Sequence, residues 1–417
     1  MQNHKIWWSN ALFFVAVHVA ACVGVYRYPP ASVPPATLLL SFTLFQVVEL
    51  SITVGYHRLY SHRAFRATLP VRALLAAVGA SGMQGSIKWW CLRHRLHHRF
   101  TDDPLHDPYA ATKGLLWSHM GWIFFKPRYE RLELIDREDL ENDPVVRFQH
   151  RYYVPLALIF GMLLPPLIGA MWKDACGAFV WGSLVAKLLV WHCTFFVNSL
   201  AHWHGLQPYS DENTSRSNFI VALLTCGEGN HNFHAFPHDY RSGPSKYDWD
   251  PSKWVILALH AAGSVWGLKR ASAEEVANAR RNIIQKVNQH GERIPETDIV
   301  LDSNEWTGVT WTWAEVEDYI EGGRKFGRCV LIIEGFVVEV TSYLQEHPGG
   351  AKLLRSYSIR NPENRIHAKD SRVEEQWERA DWAFNGGLNV HTRFAKKRMR
   401  ELRVAKLAER GCETIAQ

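Results

Sequence analysis

"YYVPLALIFGMLLPPLIGAMW", residues 152–172, contains no charged residue. About 20 apolar residues in a helix cross the hydrocarbon core of a bilayer, so this stretch decides between a soluble and a membrane-spanning fold. Three others behave alike. Residues 6–26 and 28–48 are uncharged with Arg27 between them, and 175–201 contain only Lys187. The reading is four spans, at about 6–26, 34–54, 152–172 and 176–197. Residues 6–26 lack a small-residue cleavage signature, so they read as a span rather than a removed signal peptide. Two charges break the pattern, each costing about 2.5–3.5 kcal/mol at a helix centre. Glu49 is placed near the exit of span two, and Lys187 either snorkels or faces the bundle interior.

The connecting segments set the orientation. The loops after spans one and three carry Arg27 and Lys173, whereas 55–150 carries 14 Lys and Arg, with Arg58, Arg63, Arg66 and Arg72 beside a span end. Basic flanks stay in the cytoplasm, which places both termini and the long segments there. Apolar runs at about 73–87 and 254–267 are too short to span and are expected at the interface. A length of 417 residues with 47% hydrophobic content allows one large core plus a small second domain. The net charge of +6 suits an anionic lipid surface or a phosphate-bearing substrate, and nothing points to nucleic acid. The 7 cysteines show no CxxC spacing, which argues against a disulfide framework or a zinc ribbon. From about residue 300 the pattern becomes polar and mixed. "CVLIIEGFVVEV" (329–340) reads as two strands around a Glu-Gly turn. Residues 273–290 read as a charged helix leading into a linker, with a boundary near 295.

Histidine placement carries the chemistry. His57 and His62 follow span two, "HRLHH" holds His94, His97 and His98, Asn198 and His202 close span four, and "HNFH" holds His231 and His234. Spacings of three and four put side chains on one helical face, and all four clusters fall on the cytosolic side. His18, His106, His119, His192 and His260 are read as ordinary core or interface residues. Catalytic zinc takes three protein ligands and structural zinc four, so eight histidines call for two metal ions. Imidazole suits iron, zinc and copper, and between iron and zinc only iron can activate dioxygen by changing oxidation state. A zinc protease is disfavoured because no HExxH occurs.

The string "HRLYSH…HRLHH…NSLAH…GEGNHNFH", with "TVGYHRLYSHRAF", "DPYAATKGLLWSHMGW" and "FPHDYRSGPSKYDWDPSKW", resembles the fungal Δ9 type of membrane fatty acyl-CoA desaturase of the endoplasmic reticulum over about residues 5–260. "IIEGFVVEVTSYLQEHPGG" and "AFNGGLNVHT" resemble cytochrome b5. The resemblance implies a mainly α fold: a four-span transmembrane desaturase domain (1–265) with a cytosolic di-iron cap, a helical linker (266–299), and a small α+β haem domain (300–405). It implies one iron on His57, His62, His94, His98 and His234, and a second on His97, His202 and His231 with Asn198 acting through a water. Haem b would sit between His347 and His391, and Lys126 would meet the CoA phosphates. The implied partners are acyl-CoA, NADH–cytochrome b5 reductase and the bilayer. The implied activity is oxygen-dependent desaturation of stearoyl- and palmitoyl-CoA at carbon 9. A membrane hydroxylase of the same metal class and a haem-bearing electron carrier with a defunct metal site are the alternatives.

Two departures stand out. The family pattern reads like HNFHH before the FPHDYR stretch, whereas here Ala235 follows His234 directly, one histidine short. That histidine would bind the second iron. If the segment is helical, the deletion rotates the downstream residues by about 100°, which would pull His231 and His234 out of register. In addition, His347 and His391 lie further apart than in the family, and the extra polar material around 356–382 is expected to loop out. Haem binding is expected to survive, with His367 a weaker alternative ligand. An impaired enzyme and an error in the deduced sequence both account for the lost histidine.

Overall fold

The computed structural model describes residues 5–289, 306–344, 347, 349–359, 373–388, 391 and 393–408. The chain separates into two compact units, one of residues 1–132 and 137–293, the other of 133–136 and 294–417.

Among the described residues, four helices of the first unit are long and apolar enough to cross a membrane: Trp8–Arg27, Pro35–Ser61, Tyr153–Trp172 and Ala175–Trp203. The second and fourth are about half buried, whereas the first and third turn most of their surface outward. The inner pair therefore carries the buried polar groups, and the outer pair supplies an apolar coat, with Leu12, Val19, Leu163 and Leu167 exposed. The second span runs to Ser61, so Glu49 lies within it rather than at its exit, fully buried at 1% exposure. Lys187 is buried at 4%, and its ammonium donates to the Gly161 carbonyl at 3.3 Å, which selects the interior over snorkelling.

Residues Ser51–Ser61 at the end of the second span wind as a π-helix. This answers a problem in the sequence. In an α-helix, positions five apart differ by about 140° around the axis, which would separate His57 from His62. With i→i+5 bonding they align, and His62 N–H does donate to His57 O at 3.1 Å. The carbonyls left at the end of this helix are taken by Arg95, whose guanidinium donates to Ser61 O at 3.1 Å and Tyr60 O at 2.5 Å. The apolar run near 73–87 forms the helix Leu69–Ser81, followed by Ile87–Arg99, whose N-terminal Ser86 accepts from Trp89 N–H.

Residues 264–289, most of which fall in the stretch read as a helical linker (266–299), form a strap on the first unit. Strand β1 (Arg66–Ala67) pairs antiparallel with β2 (Val265–Trp266), and Lys269 N–H donates to Ala64 O at 2.8 Å. Helix Ala273–Gln289 then packs Val276 and Ala279 against Phe233 and Phe236. The stretch ties the segment after His62 to the turn that holds His234.

The second unit holds a four-stranded sheet of order β3-β6-β5-β4, from Thr310–Trp311, Val330–Ile333, Phe336–Glu339 and Arg403–Leu407 in chain order β3 to β6. β4 and β5 form the expected hairpin, with Glu334 (φ 55) and Gly335 (φ 73) at its turn. Two successive positive φ values match a type I′ turn, whose twist suits a two-residue hairpin. The apolar run is continuous because both faces are covered. Leu331, Ile333 and Val338 pack with Leu344, Leu354, Phe384 and Met399, while Val330, Ile332 and Val337 pack with Val316 and Ile320 of helix Trp313–Gly322. A capping box between Thr312 and Glu315 starts that helix.

Candidate metal centre

The structure brings the eight histidines into two groups: His57, His62, His94, His98 and His234, and beside them His97, His202 and His231. Within each group the ligand atoms lie within 4.8 Å of one another. Helix Ile87–Arg99 serves both groups. His94 and His98, one turn apart, face the first, and the adjacent His97 is rotated towards the second.

The third cluster corrects the sequence reading. Residues 227–236 do not form an α-helix; Phe233–Ala235 make a single 3₁₀ turn. No 100° rotation propagates through such a segment, and His231 and His234 each reach a group despite the short spacing. Phe233, buried at 1%, anchors the turn under the strap. Gly229 permits the approach, since a Cβ there would lie 1.9 Å from Ala222 N. The lost histidine still shows, because the second group holds three imidazoles against five in the first. Asn198 sits half-buried at the end of helix Ala186–Asn198, one turn before His202.

The first group fits a metal ion. Its Nε2 atoms converge at 2.8 Å (His62–His94), 3.0 Å (His98–His94), 3.1 Å (His234–His62), 2.9 Å (His234–His98) and 3.2 Å (His57–His234). Nitrogens held about 2.0–2.1 Å from one ion and at right angles would be about 3 Å apart, which matches. In the second group His202 Nε2 is buried without a hydrogen-bond partner among the described residues, which suits a nitrogen that ligates a metal. Burial, reinforced by the neighbouring imidazoles, holds His62, His94, His98, His231 and His234 well below the ordinary histidine range. They are therefore neutral and able to ligate.

Acidic partners that the sequence reading missed orient these rings. His57 Nδ1 lies 3.1 Å from Glu228 Oε2. His97 Nδ1 donates to Asp107 Oδ1 at 2.8 Å, and His202 Nδ1 lies 2.8 Å from Thr214 Oγ1 and 3.9 Å from Asp102. A carboxylate on the outer nitrogen fixes the tautomer and raises ligand basicity. Burial opposes protonation of His97, but Asp107 outweighs it and the net shift is upward. Burial likewise opposes ionisation of Glu228, yet Arg58 and His57 hold it down at about 2. Arg58 bridges Glu228 at 2.8 Å and Asp250 at 2.9 Å. "GEG" and "HDPY" were the available signals, since Glu228 and Asp107 lie next to the histidine clusters in sequence.

In the second unit His391 Nδ1 lies 2.7 Å from Phe384 O, and its ring stacks on Phe384 with centroids 4.5 Å apart. A ring that donates there keeps Nε2 for haem iron. The half-buried His347 instead accepts from Gly349 N–H at 3.1 Å through Nδ1. Its proton then sits on Nε2, so ligation requires that amide contact to give way. His367 lies outside the described residues. Lys126 is exposed, beside a short backbone pairing in which its N–H donates to Lys5 O at 2.9 Å.

A membrane-helix bundle with two histidine groups, fused to a small haem-type sheet unit, defines a membrane oxidoreductase class. The chain matches the fatty acid desaturase family over residues 29–242 and the cytochrome b5-like haem/steroid binding domain over 312–364. It is 36% identical to a probable acyl-CoA desaturase of Schizosaccharomyces pombe, covering 97% of this chain and 78% of that protein. It is 35% identical to acyl-CoA desaturase 1 of Saccharomyces cerevisiae (96% and 74%), and 33% identical to the Delta(9)-fatty-acid desaturase fat-7 of Caenorhabditis elegans (67% and 83%). The chain belongs to the fatty acid desaturase family and carries a C-terminal cytochrome b5 domain. It is a multi-pass membrane desaturase of lipid metabolism, for which the desaturase domain implies a di-iron centre and the second domain a haem.

Proposed function

We propose that this protein desaturates saturated acyl-CoA, stearoyl and palmitoyl, at carbon 9 on the cytosolic face of the endoplasmic reticulum membrane, with both termini in the cytosol. The observation that carries this reading is the pairing of two converged histidine groups with a fused cytochrome b5 domain. The Δ9 names among the relatives support the position of the double bond. His57, His62, His94, His98 and His234 would hold one iron, and His97, His202 and His231 the other, with Asn198 acting through a water. Bound there, the irons supply the oxidising power that unactivated methylenes need, which acid–base groups cannot. The protein's own share is placement. Glu228, Asp107 and Thr214 aim the imidazoles, Arg58 holds Glu228 ionised, and Phe233 fixes the turn that carries His234. His347 and His391 would hold the haem, which would receive electrons from NADH through cytochrome b5 reductase. Lys126 would meet the CoA phosphates as a point charge.

A second reading, a haem-bearing electron carrier with an incomplete metal site, is favoured by the three-histidine second group. Expression in a yeast strain lacking its own Δ9 desaturase, followed by fatty-acid chromatography, separates the two. Desaturation yields growth without oleate and Δ9 monoenes. Growth only with added oleate overturns the first reading, and a hydroxylated product would move the chain to the hydroxylase class.

A further inference from the structure

The charge of this chain is concentrated in one short stretch. Residues 393–406, "RFAKKRMRELRVAK", hold 7 Lys and Arg against the single acid Glu401, a local net charge of +6, equal to that of all 417 residues. Most of these cations sit on helix Arg393–Glu401, which is anchored through Met399 and Leu402 to the sheet face formed by Leu331, Ile333 and Val338. At about 100° per residue, Lys396, Lys397 and Arg400 fall within an arc of about 100°, roughly opposite Leu402. Lys397 is exposed, and Lys396 and Arg400 are half-buried along the helix.

Nothing within the unit balances this stripe. Among the described residues, Lys396, Lys397 and Arg400 enter no ion pair and no side-chain hydrogen bond, whereas Arg398, off the stripe, meets Glu401 at 3.0 Å and Arg403 meets Glu334 at 2.9 Å. Like charges three and four residues apart oppose helix formation, so folding alone gives no reason for the arrangement. The acids lie elsewhere. Helix Trp313–Gly322, on the opposite face of the sheet, carries Glu315, Glu317, Asp318 and Glu321 and no base. Helix Val373–Phe384 shares the side of the basic helix through Phe384, but its Asp381 accepts from Glu334 N–H at 2.7 Å, and no ion pair joins it to the stripe among the described residues. The sheet thus separates a positive face from a negative one.

We propose that the Lys396–Lys397–Arg400 face docks the second unit on the anionic phospholipid headgroups of the cytosolic leaflet. The proposal rests on the cytosolic placement of this unit given above. Gln289 and Trp306, the described residues on either side of the connection between the units, are 17 residues apart, a chain that reaches about 60 Å at most. The second unit is therefore never far from the bilayer that the four spans cross, whereas a soluble acidic protein must diffuse to it. Clusters of Lys and Arg on an amphipathic helix are drawn to the negative potential of that leaflet, which fades within a Debye length of about 10 Å at 0.1 M salt. The opposed acidic helix adds direction, since the same potential repels it and turns the basic face towards the lipid. The helix begins two residues after His391, so docking would pin that end of the candidate haem site at the membrane surface.

The test uses the full-length chain in nanodiscs of phosphatidylcholine alone and of phosphatidylcholine with about 30% phosphatidylserine, an anionic surface of the kind such clusters meet. Backbone hydrogen exchange is read by mass spectrometry on peptides covering 393–401 and 313–322. Docking predicts that phosphatidylserine slows exchange of 393–401 about tenfold at about 0.1 M salt and leaves 313–322 unchanged. The effect should vanish near 1 M salt, where the Debye length is about 3 Å. Replacing all three residues, Lys396→Gln, Lys397→Gln and Arg400→Gln, is expected to abolish the difference between the lipids, with exchange in phosphatidylcholine no faster than in wild type. Equal exchange of wild type in both lipids overturns the proposal, as does slowing that survives the triple replacement or about 1 M salt. Protection by a soluble polyglutamate peptide, with none from phosphatidylserine, would assign the face to an acidic protein and overturn it too. If the triple variant fails to fold, Lys397→Gln alone decides, with the slowing expected to fall from about tenfold to about threefold. Nanodiscs present both faces of the bilayer, so an error in the cytosolic placement leaves this result unchanged; protease digestion of sealed microsomes reads that placement separately.

Discussion

Replacing Asp107 with asparagine isolates the outer partner of the second metal position. Three donors converge on this buried carboxylate: His97 Nδ1 at 2.8 Å and Tyr109 N–H at 2.9 Å on Oδ1, and Asp102 N–H at 2.9 Å on Oδ2. An amide offers one oxygen and one NH₂ group, so Asp107→Asn must point N–H at N–H on one side. If the oxygen stays on His97, Asp102 N–H loses its acceptor, at a cost of about 1–3 kcal/mol to the fold. If the amide flips, His97 loses both its acceptor and its charge partner. Lost outer partners typically reduce metal affinity 10–100-fold, about 1.4–2.7 kcal/mol at 1.36 kcal/mol per decade. The effect should be confined to one metal, because Asp107 contacts His97 and none of the five histidines of the first group. Purified wild type and variant would be dialysed against graded chelator and their iron counted by mass spectrometry. The expected result is that a second iron, where bound, leaves the variant at 10–100-fold lower chelator, while the first is retained equally by both. Equal retention of both irons would refute the assigned role of Asp107. Loss of both irons together would refute the division into two groups.

Two further outcomes follow from the same geometry. Inserting one histidine between His234 and Ala235 should raise iron towards two per chain and raise desaturation sharply, as read by metal analysis and fatty-acid chromatography. If the chain as it stands already holds two irons and turns over well, the shortfall in the second group has no consequence. Burial opposes ionisation of Asp139, but Arg95 and Arg63 hold its carboxyl down at about 2. Its folded pKa is thus depressed, so the stabilisation is present above the ordinary carboxylate pKa of about 3.9 and is lost as pH falls towards 2. Asp139→Asn should melt lower than wild type by a constant margin at neutral pH, narrowing only below about pH 4. A margin already shrinking from pH 8 to 6 would contradict this.

Much of this protein is dictated by local sequence. The four spans are apolar runs nearly free of charge, and desolvating a charge costs enough that such runs have one stable environment. The hairpin of the second unit follows from two β-branched stretches around Glu334–Gly335, because turn geometry is local. The eight histidines were also visible, and the division read from the resemblance coincides with the two groups. Tertiary structure alone decided how they converge. His57 and His62 are misaligned on any α-helix, and only the π-helical end of span two, closed by Arg95 from another helix, brings them together. The shortened third cluster is tolerated because its backbone is a 3₁₀ turn held by Phe233 under residues 271–279, a contact between segments far apart in sequence. His18, His119 and His192 read singly as ordinary core residues and are linked only across three helices. Apolar length and turn chemistry are properties of adjacent residues, whereas the convergence of ring nitrogens depends on where distant helices pack.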